Sequence, residues 1–480
     1  MAPKHILILF CDQLRADCIG ACGNEEIQTP AMDALVADST VHNRCITPSP
    51  VCVPARLSLM SGHYAARHGN NNNNLFTVYH GKGFYHELTA HGYQSCCVGK
   101  MHNVWDLYGP MGFAERHIQE ELAGDGDDYT KFICENYPAV FDYNGQRSEM
   151  YYVPQVAQMP AEAHPTQWVG DRCVEFLEKC DPEKPVFLFG SFIHPHPPFC
   201  PPAPWNKLYR REGTPPFVPE NYKEFKPLLT KNFDCDRLGI SEIDALKLKN
   251  SYYACVSFVD YQMGRIIDML KERGMYEDTL ILLTSDHGEA LGDYRNMGKR
   301  TMLDTAARVP FIMKVPGQGA GKREDVCSLV DVAPTLLSYA GIGYDPAEYD
   351  GVNLFADRHE EVYSQYAGGE KGCYMIATAT DKLVWNGPEQ KYYYFTEFPE
   401  YINRYEEMCE SDRVIALREK LAAHMAADVH VDIPAAKRRK INPFGVGRLD
   451  HRTRHDEELS RIPAQYKIDL ELPDKEPDGF

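Results

Sequence analysis

The chain has 480 residues, of which 44% are hydrophobic and 25% charged, and a formal net charge of -19. That length exceeds one ordinary core and implies a large domain with a smaller satellite. The acidic balance excludes nucleic acid and anionic membrane surfaces as partners, while a local basic pocket for a small anion stays compatible with it.

His5 to Phe10 is a continuous apolar run ending in Cys11-Asp12-Gln13, the pattern of a buried parallel strand with polar groups at its carboxyl end. The run is shorter than a signal-peptide core, and no segment approaches the roughly 20 apolar residues of a membrane span, so a cytoplasmic protein is expected. Residues 30–38 read as a helix. In Thr47-Pro48-Ser49-Pro50-Val51-Cys52-Val53-Pro54-Ala55-Arg56 the prolines hold the entry extended, and Leu57 to Met60 opens a helix. Asn70 to Asn74 reads as a polar turn or as an amide-rich patch facing substrate hydroxyls.

Residues 94–99 form a second strand leading to Lys100-Met101-His102. Residues 186–192 form a third, leading to His194-Pro195-His196, and residues 279–284 a fourth, leading to Asp286-His287-Gly288-Glu289. A fifth, residues 309–315, carries no polar tail. Helical patterns cover 164–180 and 241–274, the second stopped by Gly274. Between 195 and 235 the chain is rich in Pro and aromatics and reads as a long loop at a pocket rim. Strands alternating with helices define an α/β fold, a large mostly parallel sheet sandwiched by helices.

After Asp350 the pattern changes. Residues 361–364, 374–378, 383–388 and 391–395 read as strands and 412–427 as a helix, giving a smaller C-terminal antiparallel sheet crossed by a helix. The expected division is 1–355, 356–440 and a polar extension 441–480 opened by Lys437-Arg438-Arg439-Lys440, with a self-clasping homo-oligomer as one use of that extension. The sixteen cysteines are irregularly spaced, frame no zinc site and read as mostly reduced core residues.

Four strand ends thus deliver Asp12 and Gln13, Lys100 and His102, His194 and His196, and Asp286 and His287, with Lys299 in the loop beyond. Ligands of open α/β sheets bind at the carboxyl ends of strands. Carboxylates, an amide and an imidazole meeting there suit a divalent cation with mainly oxygen ligands. Arg56, Lys100, Lys299 and the histidines would surround it with positive charge, as a sulfate or phosphate group requires.

These motifs resemble, in order, the signature of the formylglycine-dependent (type I) sulfatases of the alkaline-phosphatase-like superfamily. Cys52-Val53-Pro54-Ala55-Arg56 resembles the segment whose Cys is oxidised to formylglycine (3-oxoalanine). Gly99-Lys100-Met101-His102, Pro195-His196-Pro197-Pro198, Ser285-Asp286-His287-Gly288 with Lys299, and the helix start Asp331-Val332-Ala333-Pro334-Thr335 resemble further family segments. The resemblance implies a sulfuric ester hydrolase with Cys52, Arg56, Lys100, His102, His196 and Lys299 as catalytic residues. It implies one divalent metal, Ca2+ ahead of Mg2+ or Mn2+, on Asp12, Gln13, residue 52, Asp286 and His287. Asn74 and His194 are expected to touch a small sulfate-ester substrate, such as a sulfated sugar, and a formylglycine-generating or radical maturing enzyme is the expected partner. Many sulfatases carry Asp-Asp and Asp-Asn where this chain has Asp12-Gln13 and Asp286-His287. Those pairs also resemble phosphonate monoester hydrolases and choline sulfatases, which keeps a phosphonate monoester or phosphodiester hydrolase as the alternative.

Overall fold

The computed structural model describes residues 4–428 except 74–80, 103–106, 122–125, 138–139, 141–151, 210–212 and 230–231. The Lys437–Lys440 run and the 441–480 extension lie outside the described residues. The main sheet is built from β1 (His5–Asp12), β2 (Thr40–Ile46), β3 (Gln94–Gly99), β4 (Glu115–Ile118), β5 (Val186–Pro195), β7 (Thr279–Ser285), β9 (Phe311–Lys314) and β10 (Gly321–Ser328). A two-residue pair, β6 (Phe233–Asp234) with β8 (Asn296–Met297), stands apart. The main sheet runs in the order β10-β2-β9-β7-β1-β5-β3-β4.

Strands β7, β1, β5, β3 and β4 are mutually parallel. Only β9 runs against both neighbours. Its carboxyl end therefore points to the opposite edge of the sheet, which accounts for its lack of a polar tail.

The alternation of β1 shows why its residues read as one apolar run. Leu7, Leu9 and Cys11 join one buried cluster, with Trp168 and Val169 of helix Pro165–Lys179 and Val256 and Ile266 of helix Glu242–Glu272. Ile6, Ile8 and Phe10 join another, with Leu59 of helix Cys52–Ser61, Leu88 of helix Phe84–Ala90 and Leu336 of helix Val332–Ala340. A strand covered on both faces is apolar at every position. Sixteen free cysteines, all but Cys22, Cys134 and Cys409 buried, fill this interior as small hydrophobes.

The C-terminal sheet is antiparallel, β11 (Val362–Tyr366), β12 (Cys373–Ala377), β13 (Lys382–Asn386) and β14 (Lys391–Phe395) in that order. Tyr374, Ile376, Leu383 and Tyr394 pack on Val414, Leu417 and Leu421 of helix Asp412–Ala426. Met375, Val384, Tyr393 and Phe395 face the other way, onto Ile46, Val51 and Phe225. The sheet also braces the loops that carry the site. Gln365 N donates to Pro48 O at 2.9 Å, ahead of Cys52. Buried Lys382 Nζ reaches Met302 O and Asp304 Oδ1, each at 2.7 Å, three and five residues after Lys299.

Candidate active site

Helix Cys52–Ser61 begins at Cys52 itself, not at Leu57 as the sequence led us to expect. Pro54 lies in its first turn, where a missing N–H costs nothing because that donor has no intrahelical partner. Val51 caps the helix without a side-chain hydrogen bond. The Val53 amide is instead taken by Asn73 Oδ1 at 2.9 Å, so part of the asparagine run serves the helix that presents Cys52.

Arg56, one turn on, is fully buried and uses its guanidinium as a hub. Nε donates to Asp286 Oδ2 at 2.9 Å and Nη2 to Asp12 Oδ2 at 3.2 Å, while Nη1 reaches Lys100 O at 2.6 Å and Ser191 Oγ at 3.1 Å. The four strand ends that meet here, β7, β1, β3 and β5, are thereby tied by one side chain. Burial disfavours the charge, but Asp286 and Asp12 outweigh it and keep Arg56 charged.

Lys100 follows Gly99, whose φ of 93° is left-handed and where a Cβ would stand 2.0 Å from Ser191 O. Glycine is required for that turn. Lys100 Nζ lies 2.6 Å from Asp12 Oδ2 and 2.8 Å from Glu121 Oε2. Burial disfavours the ammonium, but Asp12 and Glu121 outweigh it and hold its pKa well above the usual lysine range. Asp12 in turn is pushed up by burial and by the Cys52 sulfur. Lys100, His196 and Lys299 reverse this and keep it ionised, below the usual carboxylate range.

Around the Cys52 sulfur stand Lys299 Nζ at 2.9 Å, His287 Nε2 at 3.3 Å and Asp12 Oδ1 at 3.7 Å, with the His102 side chain near enough to favour the thiolate. Burial raises the thiol pKa, yet Lys299, Lys100 and His287 together bring it well below the ordinary thiol range. His287 is desolvated too, and Asp286 more than compensates, raising its pKa. Gln13 and His102 both adopt left-handed backbone, φ 70° and 53°. Such strain in residues other than glycine gathers at functional sites. His196 lies at the rim of this group, Nδ1 donating to Pro197 O at 2.7 Å and Nε2 3.8 Å from Glu121 Oε1.

The donor set fits a divalent cation. Ligating atoms of Asp12, Cys52, Asp286 and His287 all lie within 4.8 Å of one another. Gln13 Oε1 is buried with no hydrogen-bond partner among the described residues, a state that costs free energy unless something satisfies it. Two carboxylates, an amide oxygen and an imidazole are a mixed, mostly hard ligand set.

The Sulfatase family model matches residues 4–342. The chain belongs to the sulfatase family. It is 30% identical over 436 residues to an arylsulfatase of Clostridium perfringens, spanning 82% of this chain and 88% of that protein. It is 28% identical over 414 residues to a choline-sulfatase of Rhizobium meliloti, spanning 79% and 77% of the two chains. The fold matches the crystal structure of a phosphonate monoester hydrolase of Agrobacterium radiobacter with a TM-score of 0.75 at 21% identity, over 89% of this chain and 96% of the other. This sulfatase is therefore a hydrolase of sulfate esters, on a large, mostly parallel sheet with a small antiparallel C-terminal sheet. No helix among its described residues is long and apolar enough to cross a membrane.

Of the residues expected at the site of this sulfatase, Asp12, Gln13, Cys52, Arg56, Lys100, His102, His196, Asp286, His287 and Lys299 form one connected group. His194 does not join it through the contacts just described. Its Nδ1 meets Thr166 Oγ1 at 3.1 Å, its Nε2 lies 3.8 Å from Cys200 Sγ, and its ring lies 4.7 Å from that of His164. His194 thus packs as one of a buried histidine pair with His164. Asn74 lies outside the described residues. Three glutamates hold places at the site that the sequence did not suggest. Glu121 pairs with Lys100, and buried Glu120 accepts from the Met101 and His102 amides at 3.0 and 3.1 Å, fixing the loop between them. Glu289 accepts from Gln13 Nε2.

Proposed function

We propose that this sulfatase cleaves its ester at sulfur with a nucleophile at position 52, after a formylglycine-generating or radical maturing enzyme has oxidised Cys52. The observation that carries the reading is the placing of Cys52 at the start of a buried helix with Lys299 Nζ 2.9 Å from its sulfur and Arg56, Lys100 and His287 around it. No ordinary structural cysteine needs that much positive charge. Formylglycine would supply a hydrate hydroxyl as nucleophile, and a divalent cation on Asp12, Gln13, Asp286 and His287 would supply Lewis acidity.

The chain's own groups do the rest. Lys100 and Lys299 bind the nonbridging oxygens of the sulfate ester and oppose the charge that develops there. His102 and Arg56 hold residue 52 and the two aspartates in place. His196 is held through Nδ1 by the Pro197 carbonyl and presents Nε2 to the leaving alcohol as proton donor. Calcium is the preferred ion for a mainly oxygen set, and the His287 nitrogen makes manganese the first competitor. A small sulfate ester such as a sulfated sugar is the proposed substrate.

The second reading, a phosphonate monoester or phosphodiester hydrolase, draws on Gln13 and His287, which carry less charge than a second pair of carboxylates. Comparing kcat/KM on an aryl sulfate and on an aryl phosphonate monoester separates the two. Sulfate preference supports the proposal, and a preference for phosphonate overturns it.

A further inference from the structure

Gln13 carries an amide whose two ends are chemically opposite, and only its oxygen can ligate a cation. Nothing in the backbone decides which end faces the site. Gln13 N donates to Asp286 Oδ1 at 3.0 Å and Gln13 O accepts from Tyr252 Oη at 2.7 Å, and both bonds would survive a rotation of the amide by half a turn.

Glu289 makes the choice. Its carboxylate is fully buried and accepts four hydrogen bonds, from Gln13 Nε2, from Tyr152 Oη at 3.0 Å, from Leu291 N at 3.0 Å and from Gly298 N. The two amides hold Oε1, while Gln13 and Tyr152 meet Oε2. A carboxylate has no proton to give, so the amide of Gln13 must turn its NH2 toward Glu289. Its Oε1 is thereby left buried, without a hydrogen-bond partner among the described residues.

We infer that Glu289 is a positioning residue that sets the amide of Gln13 oxygen-first toward the cation, and so decides whether Gln13 is a ligand at all. The inference rests on the proposed cation site and adds to it a group that touches neither cation nor substrate. Partners of metal ligands that fix ligand orientation typically change affinity 10–100-fold when replaced.

The isosteric variant Glu289→Gln tests this. The Leu291 and Gly298 amides hold the new side chain's oxygen where Glu289 Oε1 lies, so its NH2 faces Gln13. The Gln13 amide must then turn over and present NH2 to the cation. Calorimetric titration of Ca2+ into the metal-stripped full-length protein should show affinity at least about tenfold weaker. The exchanged pair Gln13→Glu with Glu289→Gln should recover most of that loss. Glutamate at 13 accepts from the new NH2 and still offers oxygen to the cation. A merely structural Glu289 predicts the reverse, since the exchanged pair keeps the same altered residue at 289. Glu289→Gln binding Ca2+ within about twofold of the parent, or no recovery in the exchanged pair, would overturn the inference. Gln13→Ala separates it from the underlying reading: unchanged Ca2+ affinity there would remove Gln13 from the cation site and both claims with it.

Discussion

Replacing Arg56 by methionine probes the hub of the site without opening a cavity. Arg56 is buried between two carboxylates that share its fork, Asp286 Oδ2 at 2.9 Å and Asp12 Oδ2 at 3.2 Å. Methionine fills most of the volume and supplies no donor. Asp12 keeps Lys100 at 2.6 Å, and Asp286 keeps the Gln13 and His287 amides, each at 3.0 Å. The damage is therefore one uncompensated buried charge rather than two, about 3–5 kcal/mol. The two lost charge-assisted hydrogen bonds, at about 1.5–3 kcal/mol each, sum to about 3–6 kcal/mol, which overlaps that range. Urea unfolding in the presence of a chelator should show this loss as a lower midpoint at unchanged slope. Saturating Ca2+ should restore part of it by neutralising Asp12 and Asp286. Arg56→Lys should fall between, because an ammonium supplies the charge but cannot span both carboxylates and the Lys100 carbonyl. Arg56→Met within about 1 kcal/mol of the parent would refute the reasoning, for no exposed ion pair exceeds that value.

Three further outcomes are expected. Lys299→Ala should lower kcat/KM on an aryl sulfate by about 100-fold or more, the usual effect of losing one donor to transition-state charge, with the fold retained by circular dichroism. Lys382→Met leaves Asp304 and Glu400 without their shared buried cation and should cost about 3–5 kcal/mol in urea unfolding. His359 is disfavoured as a cation by burial, but Asp331 at 2.7 Å outweighs this and raises its pKa above 6.5. Its contribution is thus full below the unfolded value and lost as pH rises through the higher folded value, so the stability gap between the parent and His359→Gln should narrow as pH rises above 6.5.

Much of the site was legible because four adjacent parallel strands end in it. A parallel strand buried on both faces reads as an apolar run, and the polar residue that breaks the run stands at the sheet edge. Asp12, Lys100, His196 and Asp286 were found by that rule. The segments without such runs escaped notice. Thr40–Ile46 and Gly321–Ser328 carry His42, Arg44, Lys322 and Arg323 near one end of the sheet and hold no continuous apolar run. Glu115–Ile118, the last strand at the other end, is four residues of mixed character, and Glu120 and Glu121 follow it without signal. Glu289 lay in plain view beside Asp286 and His287. Only the fold shows that its carboxylate meets the amide of Gln13, 276 positions away. Nor does the sequence show that His194 packs against His164, thirty positions earlier.

The central claim is that the encoded cysteine is not the working residue. Mass spectrometry of the peptide containing position 52, on protein co-expressed with graded amounts of a formylglycine-generating enzyme, measures the aldehyde fraction beside the turnover of an aryl sulfate. Turnover per molecule should rise in proportion to that fraction and vanish where Cys52 is intact. Full turnover by protein whose Cys52 is wholly unmodified would contradict the account.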